Sequence, residues 1–173
     1  MRSGRRPGNE INNHDNISIL INNAGCGFFG SIESLSLKQW DQQFNVNIKA
    51  PFLISQMVIP KMKKKKKGNI VFMNSVAGKQ NFIYATGYVS SKFALRGFAG
   101  SLREELREFD IKVMSVFPGA INTPFWDKVE HSFNKEEMLD LNDCAEMIVE
   151  NILSKGNLVV EDLLIRRLAG DFK

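Results

Sequence analysis

Two side chains capable of proton chemistry lie four residues apart in the segment Tyr88-Val-Ser-Ser-Lys92. On a helix this spacing places them on one face, with Cβ atoms about 5–6 Å apart. A lysine held there favours the phenolate, because a nearby opposite charge stabilises the ionised form. A tyrosine whose pKa is lowered from about 10 can transfer protons near neutral pH. Ser75 is a candidate to hold a carbonyl or alcohol oxygen, although the Tyr–Lys pair alone is more simply interpreted as a surface contact.

Short apolar runs predict the strands that position these residues. The runs are Ile17–Ile21, Asn69–Met73 and Lys112–Phe117. The first ends in Asn22-Asn23-Ala24-Gly25, the second delivers Ser75, and the third is closed by Pro118-Gly119-Ala-Ile-Asn-Thr123. Small residues at the carboxyl end of a parallel strand let a flat ligand lie close to the backbone, and open α/β sheets bind ligands at that end.

Between these runs, the spacing of apolar residues predicts helices. Ser36 and Gln39 form a capping box ahead of a first helix. Pro51 suits the first turn of a second helix, which Pro60 is expected to kink or shorten. The residues of this helix expected to point inward are Phe52, Leu53, Met57 and Val58.

The helix that carries Tyr88 and Lys92 is expected to continue to Phe109, with an apolar stripe that packs into the core. A helix over Asp143–Leu153 and a last strand near Leu158–Val160 close the chain. Since a helix follows every strand except the last, the predicted fold is an α/β parallel sheet buried on both faces.

The net charge of +4 comes from one local run and does not indicate a nucleic-acid-binding domain. Without the six lysines between Lys61 and Lys67, 17 basic residues stand against 19 acidic ones. The run lies where a helix ends, and cations there complement the helix dipole. We therefore expect a solvated helix end, and no nucleic-acid partner. No segment approaches the roughly 20 apolar residues of a membrane span, so no membrane partner is expected.

Five segments in order resemble the short-chain dehydrogenase/reductase family. They are its NNAG segment (Asn22 to Gly25), active-site Asn (Asn47), active-site Ser (Ser75), YxxxK pair (Tyr88, Lys92) and PGxxxT segment (Pro118 to Thr123). The resemblance implies a partial Rossmann-like, doubly wound sheet and hydride transfer between NAD or NADP and a small-molecule carbonyl or secondary alcohol.

The resemblance also implies a role for each matching residue. Tyr88 exchanges the proton with the substrate oxygen, Ser75 orients and polarises the carbonyl, and Asn47 anchors a water that links Lys92 to solvent. Lys92 lowers the Tyr88 pKa and holds the nicotinamide ribose. The residues implied to contact the cofactor are Asn22, Ala24, Gly25, Tyr88, Lys92, Pro118, Gly119, Ile121 and Thr123. The simpler alternatives are that Ser75 caps a turn, Asn47 satisfies buried backbone groups and Thr123 caps a helix.

Other properties of the family bear on assembly and on the loop after Thr123. The helices over 51–66 and 87–109 often form the contact of a homodimer or homotetramer. The loop with Phe125, Trp126 and Phe133 is implied to cover the substrate. No metal is implied, since Cys26 and Cys144 have no metal-ligand spacing, and two thiols in a chain of this size favour a reducing cytoplasm.

The family's first strands and Gly-rich turn, which receive the cofactor pyrophosphate, have no counterpart before Asn22. From this we expect a chain with N-terminal strands missing, weakly active or inactive as written. Residues 1–16 are expected to be disordered or non-native, and residues 17–173 to form the catalytic part. The alternative is a non-catalytic product that acts as an interaction or structural module.

Overall fold

Four parallel strands form one sheet, in chain order, in the computed structural model, which describes residues 11, 14, 16–129 and 134–171. The strands are β1 (Ile19–Asn22), β2 (Gly68–Met73), β3 (Ile111–Pro118) and β4 (Asp162–Ile165). The helices are α1 (Leu37–Phe44), α2 (Ala50–Lys65), α3 (Thr86–Leu106) and α4 (Leu141–Ile152). This is the predicted α/β architecture of a parallel sheet flanked by helices.

Alternate residues of β2 and β3 supply two separate cores, one on each face of the sheet. On one face Ile70, Phe72 and Val113 pack against the apolar stripe of α3. On the other face Val71 and Met114 belong to the cluster that α4 covers. The expectation that the sheet is buried on both faces is therefore confirmed for its two central strands.

The capping box before α1 is confirmed. The Ser36 hydroxyl accepts a hydrogen bond from the Gln39 amide at 3.3 Å, and the Gln39 carboxamide oxygen accepts one from the Ser36 amide at 2.9 Å. A π-helical segment, Asn45–Lys49, then joins α1 to α2. Single π-helical turns inside helices frequently occur at functional sites, and this one carries Asn47.

Of the expectations about α2, the shortening at Pro60 and the inward positions of Phe52 and Leu53 were wrong, whereas the buried position of Val58 is confirmed and a kink at Pro60 stays a prediction. The helix is not shortened at Pro60 but runs on to Lys65, and it ends at Lys66 in a left-handed conformation (φ 48°). Phe52 and Leu53 do not point inward, since they are 45% and 44% exposed. The buried face of α2 carries Pro51, Ser55, Val58 and Met62. Their spacing of three and four residues defines one side of the helix, and Phe52 and Leu53 fall outside it.

The last strand was predicted four residues too early. Leu158 is 69% exposed, and the strand that pairs with β3 is Asp162–Ile165. Arg103 of α3 explains this register, because its guanidinium donates to the Val113 and Glu161 carbonyl oxygens at 3.0 and 2.7 Å. The same guanidinium pairs with Asp162 at 3.2 Å. Glu161 and Asp162 are thereby held at the start of β4. A search for apolar runs does not predict a strand that starts at two acidic residues.

β1 lies at one edge of the sheet, with Ile19 39% and Ile21 48% exposed. Two lysines of the basic run tie the preceding segment to α2: Lys61 donates to the Ile11 and His14 carbonyl oxygens at 2.7 and 2.9 Å, and Lys65 to the Asn16 side chain. Most of the segment predicted to be disordered, residues 1–10, 12, 13 and 15, lies outside the described residues. Within the described chain, no helix is both long and apolar enough to cross a membrane.

Candidate active site

The carboxyl ends of β1, β2 and β3 open into one cavity of about 1160 Å³. Because the strands are parallel, the segments that follow them meet at the same edge of the sheet. The candidate residues that line this cavity are Gly25, Ser75, Tyr88, Lys92, Pro118, Gly119, Ile121 and Thr123. Asn22, Ala24 and Asn47 are not among the lining residues, whereas Asn23 is.

The Ser75 side chain, just after the end of β2, makes two interactions. Its hydroxyl oxygen accepts a hydrogen bond from the Ala77 amide at 3.1 Å and so caps the short 3-10 turn Val76–Gly78. The same side chain lies close enough to Tyr88 for a hydrogen-bonding interaction that acts to lower the Tyr88 pKa. The turn-capping alternative is therefore confirmed, and it coexists with a position beside the phenol.

The Tyr88 phenol is held in its protonated form. Burial is the largest influence and raises its pKa to about 12, while the Ser75 hydrogen bond opposes the rise. The Lys92 ammonium lies 5.6 Å from the centre of the Tyr88 ring. The lowered pKa expected from the sequence is thus wrong for this structure, since desolvation of the phenolate outweighs the interaction with Ser75. A protonated phenol is the form required to donate a proton to a carbonyl oxygen.

Lys92 is only 4% exposed, and its ammonium donates a hydrogen bond to the Met73 carbonyl oxygen at 2.9 Å. Burial lowers the pKa of Lys92 to about 8, and the neighbouring Cys26 thiol opposes this change. The ammonium is therefore anchored to the last residue of β2 and faces the cavity. Its charge is retained at neutral pH and lost in mildly alkaline solution.

This burial predicts a pH dependence of the free energy of unfolding. The folded-state pKa of about 8 lies below the ordinary value of 10.5, so the unfolded chain binds more protons between these values and stability rises with pH. The whole effect is roughly 3 kcal/mol, most of it gained by about pH 10. Urea unfolding between about pH 8 and 10 should show that the free energy of unfolding of the wild type increases relative to that of Lys92→Met, because the raised pKa values of Tyr88, Cys26 and Cys144 act in the opposite sense in both proteins.

Lys49 provides the matched control, since its side chain is exposed on the π-helical segment. The variant Lys49→Met should keep the wild-type pH dependence. If the free energy of unfolding depended on pH in the same way in the wild type and in Lys92→Met, the folded-state pKa of Lys92 would not be lowered by burial.

Asn47 joins the π-helical segment to the loop after β1. Its amide nitrogen donates to the Cys26 carbonyl oxygen and to the Ser91 hydroxyl, both at 2.9 Å. Its amide oxygen accepts a hydrogen bond from the Cys26 backbone at 2.9 Å. The alternative role, the satisfaction of buried backbone groups, is confirmed by these contacts. The water-anchoring role stays a prediction.

Asn74 is a site residue that the sequence analysis missed. Its amide nitrogen donates to the Lys92 carbonyl oxygen at 3.1 Å, and its amide oxygen accepts from the Ser75 backbone at 2.9 Å. It therefore links the segment after β2, residues 74–78, to α3, the helix that carries Lys92. We call this segment the serine loop. A Cβ at Gly78 would lie 2.5 Å from the Asn74 amide oxygen, so glycine is needed there. The available signal was a buried amide placed directly after an apolar strand.

Asn22 is 7% exposed at the end of β1, and among the described residues neither atom of its carboxamide has a hydrogen-bond partner. Buried amides without partners are uncommon, and such a group is suited to an additional ligand or a water molecule. Thr123 precedes the 3-10 turn Pro124–Lys128, and within the described chain its side chain makes no capping hydrogen bond. Of the loop predicted to cover the substrate, Phe125 and Trp126 line the cavity, and Phe133 lies outside the described residues.

Residues 9–133 match the sequence profile of the family described as short chain dehydrogenase. The match covers more than half of the chain and contains Asn22, Asn47, Ser75, Tyr88 and Lys92. The chain belongs to the short-chain dehydrogenase family. Membership makes it an oxidoreductase by family, as the five segments in order predicted.

Several members of this family are similar to the chain in sequence. A sepiapterin reductase of Chlorobaculum tepidum is 32% identical over 163 residues, which are 94% of this chain and 66% of that protein. Retinol dehydrogenase 8 of Homo sapiens is 39% identical over 113 residues, which are 65% of this chain and 36% of that protein. The chain thus spans between about a third and two thirds of these relatives.

Solved structures of short-chain dehydrogenases have the same fold. A metagenomic short-chain oxidoreductase in complex with NADP superposes with a TM-score of 0.75 at 28% identity, over 91% of this chain and 65% of that one. An alcohol dehydrogenase from the archaeon Thermococcus sibiricus superposes with a TM-score of 0.84 at 21% identity, over 95% of this chain and 69% of that one. At that identity the second likeness concerns the fold alone.

Proposed function

We propose that the protein transfers hydride between NAD or NADP and a small-molecule carbonyl or secondary alcohol. The observation that carries the proposal is one cavity lined by Ser75, Tyr88 and Lys92, in which the Lys92 ammonium lies 5.6 Å from the centre of the Tyr88 ring. Family membership supports the same reaction type.

The residues present fit the nicotinamide end of such a cofactor. Gly25 and Gly119 have no side chain, and Pro118 has a rigid ring. A flat group can therefore approach the backbone at these strand ends. Asn22, whose carboxamide has no partner among the described residues, ends β1 outside the cavity lining and is also proposed to contact the cofactor. The bound nicotinamide supplies or accepts the hydride. NADP in one similar solved structure and NADH in the 4-hydroxyisoleucine dehydrogenase structure are consistent with this choice of cofactor.

Each residue of the chain then has a definite task in carbonyl reduction. Tyr88, protonated at neutral pH, donates its proton to the substrate oxygen. Ser75 orients that oxygen beside the phenol, and Lys92 places a positive charge near the forming alkoxide and the ribose. Asn47 holds the loop that follows Gly25. Its predicted role, to anchor a water that links Lys92 to solvent, is part of the same proposal. Ala24, Ile121 and Thr123 are proposed to contact the cofactor.

The direct test is an assay of the protein with NADH and with NADPH against a panel of ketones and aldehydes. We expect consumption of one reduced nucleotide with formation of one molecule of alcohol per carbonyl reduced. Absence of alcohol formation with both nucleotides, from a folded protein, would overturn the proposed reaction.

We also propose that two helices, α2 and α3, form the contact of a homodimer or homotetramer. Phe52 and Leu53 of α2 and Phe93 of α3 are large apolar side chains that are 39–45% exposed. Gly97 and Gly100 of α3 face open space, which lets another helix approach closely. Sedimentation equilibrium should therefore show a dimer or tetramer, and a monomer at micromolar concentration would contradict the assignment.

Two further assignments complete the proposal. Residues 17–173 form the catalytic part of a Rossmann-like domain, which agrees with the continuous sheet from β1 to β4. The compartment proposed is the cytoplasm, because Cys26 and Cys144 are both free thiols.

A further inference from the structure

A group of aromatic rings packs directly against the proposed proton donor. The Phe29 ring lies 5.4 Å and the Phe125 ring 5.9 Å from the Tyr88 ring, between centroids. Trp126 stacks on Phe29 at 6.3 Å, with 18° between the planes, and meets Phe125 edge-on at 5.3 Å. We call Phe29, Phe125 and Trp126 the aromatic wall. All three line the cavity together with Tyr88.

The wall joins two distant segments, and the chain holds both in place. A Cβ at Gly27 would lie 2.9 Å from the Phe29 ring and 3.0 Å from the Phe125 ring, so the missing side chain lets the two rings approach. The Trp126 indole nitrogen donates to the Ile121 carbonyl oxygen at 2.9 Å. That oxygen belongs to the segment after β3 that also lines the cavity. The wall is thus a fixed surface that begins at the Tyr88 ring.

The remainder of the cavity near α4 is mainly aliphatic. Ala145, Ile148 and Val149 line it. Among the described lining residues, the charged ones are Lys92, Arg167 and Asp171.

Two of these three charges already have partners at the rim. Asp171 accepts a hydrogen bond from Gln80 at 2.6 Å and pairs with Arg166, and Arg167 pairs with Glu137 at 3.5 Å.

We infer that the site selects a substrate with a planar aromatic group on the carbon that carries the reacting oxygen. This rests on the proposed function, since the position of the oxygen is set by Ser75 and Tyr88. With its oxygen at the Tyr88 hydroxyl, a substrate has its first substituent beside Phe29 and Phe125. Offset-stacked and edge-to-face contacts between aromatic rings are favourable beyond the area that they bury. They are expected to raise affinity roughly three- to tenfold over a saturated ring of the same size.

The test compares two secondary alcohols, 1-phenylethanol and 1-cyclohexylethanol, which differ only in whether the ring is aromatic. Binding is followed without added nucleotide by the fluorescence of Trp126, in a Trp40→Phe background that removes the second of the two tryptophans. Trp40 stacks on Phe44 of α1 and does not line the cavity. We expect saturable binding of the phenyl alcohol, with a dissociation constant at least threefold lower than that of the cyclohexyl alcohol.

A pair of variants assigns the difference to the wall. Phe29→Leu should bring the ratio of the two dissociation constants close to one, because an aliphatic side chain offers no ring contact. Phe28→Leu, at the neighbouring half-buried phenylalanine that does not line the cavity, should keep the wild-type ratio. Equal binding of the two alcohols by the wild type, no saturable binding of 1-phenylethanol, or an unchanged ratio in Phe29→Leu would each overturn the inference. A preserved ratio in a protein with no turnover would instead refute the proposed reaction while leaving the wall's selectivity in place.

Discussion

Replacement of Tyr88 by phenylalanine should lower kcat/KM for carbonyl reduction by about 10²–10⁴, the usual contribution of a general acid. The change deletes the hydroxyl that carries the transferable proton and leaves the ring, which keeps its contacts with Phe29 and Phe125. Ser75 still accepts its hydrogen bond from the Ala77 amide, so the serine loop should stay in place. Steady-state kinetics of the protein, with thermal unfolding as the check on folding, measure the effect.

The chain contains a second tyrosine that serves as the matched control. Tyr84 lines the same cavity and is 49% exposed. Its main structural contact is through the backbone, where its carbonyl oxygen accepts from the Gly30 amide at 2.7 Å. Tyr84→Phe keeps that contact and should retain turnover within a few-fold. Near-native turnover in Tyr88→Phe, or an equal loss in both variants, would mean that Tyr88 is not the proton donor.

The sequence alone predicted those features of the site that depend only on where a residue lies along the chain. Ser75 follows an apolar run, and Tyr88 and Lys92 are one helical turn apart. Parallel strands bring their carboxyl ends together whatever the details of packing. For this reason the shared location of Ser75, Tyr88, Lys92 and the Pro118–Thr123 segment could be predicted before any tertiary contact was known.

Properties that depend on the degree of burial could not be predicted in this way. The spacing of Tyr88 and Lys92 indicated a lowered phenol pKa, but burial raises it to about 12. The outward direction of Phe52 and Leu53 depends on which face of α2 meets the sheet. That face is chosen by the whole packed set of residues, and helical spacing alone leaves several faces open.

Long-range contacts account for the remaining differences. The register of β4 depends on Arg103, which is 58 residues from Glu161 in sequence. The aromatic wall joins Phe29 to Phe125 and Trp126, and the role of Gly27 is visible only once those rings have met. Asn74 was overlooked because an amide after a strand resembles any polar residue at a strand end. Its importance comes from contacts with both Ser75 and Lys92.

Asn47→Ala should destabilise the folded protein by about 2–4 kcal/mol. The substitution removes two hydrogen bonds to the half-buried Cys26 backbone and one to the buried Ser91 hydroxyl, and each such bond contributes about 0.5–1.5 kcal/mol. The Ser91 hydroxyl also loses a donor but keeps its own hydrogen bond to the Tyr88 carbonyl oxygen at 2.8 Å. Chemical denaturation gives the free energy of unfolding directly.

Two further substitutions separate this structural role from the predicted water relay to Lys92. Asn45→Ala changes the same residue type in the same π-helical segment at an exposed position, and it should alter stability by no more than about 0.5 kcal/mol. Ser91→Ala removes one of the three hydrogen bonds of Asn47 and should cost about 1 kcal/mol. If Asn47→Ala were as stable as Asn45→Ala, the hydrogen bonds to Cys26 would contribute little to folding. A loss of turnover without that loss of stability would then assign Asn47 to proton relay, because the helix and the loop would have kept their places without it.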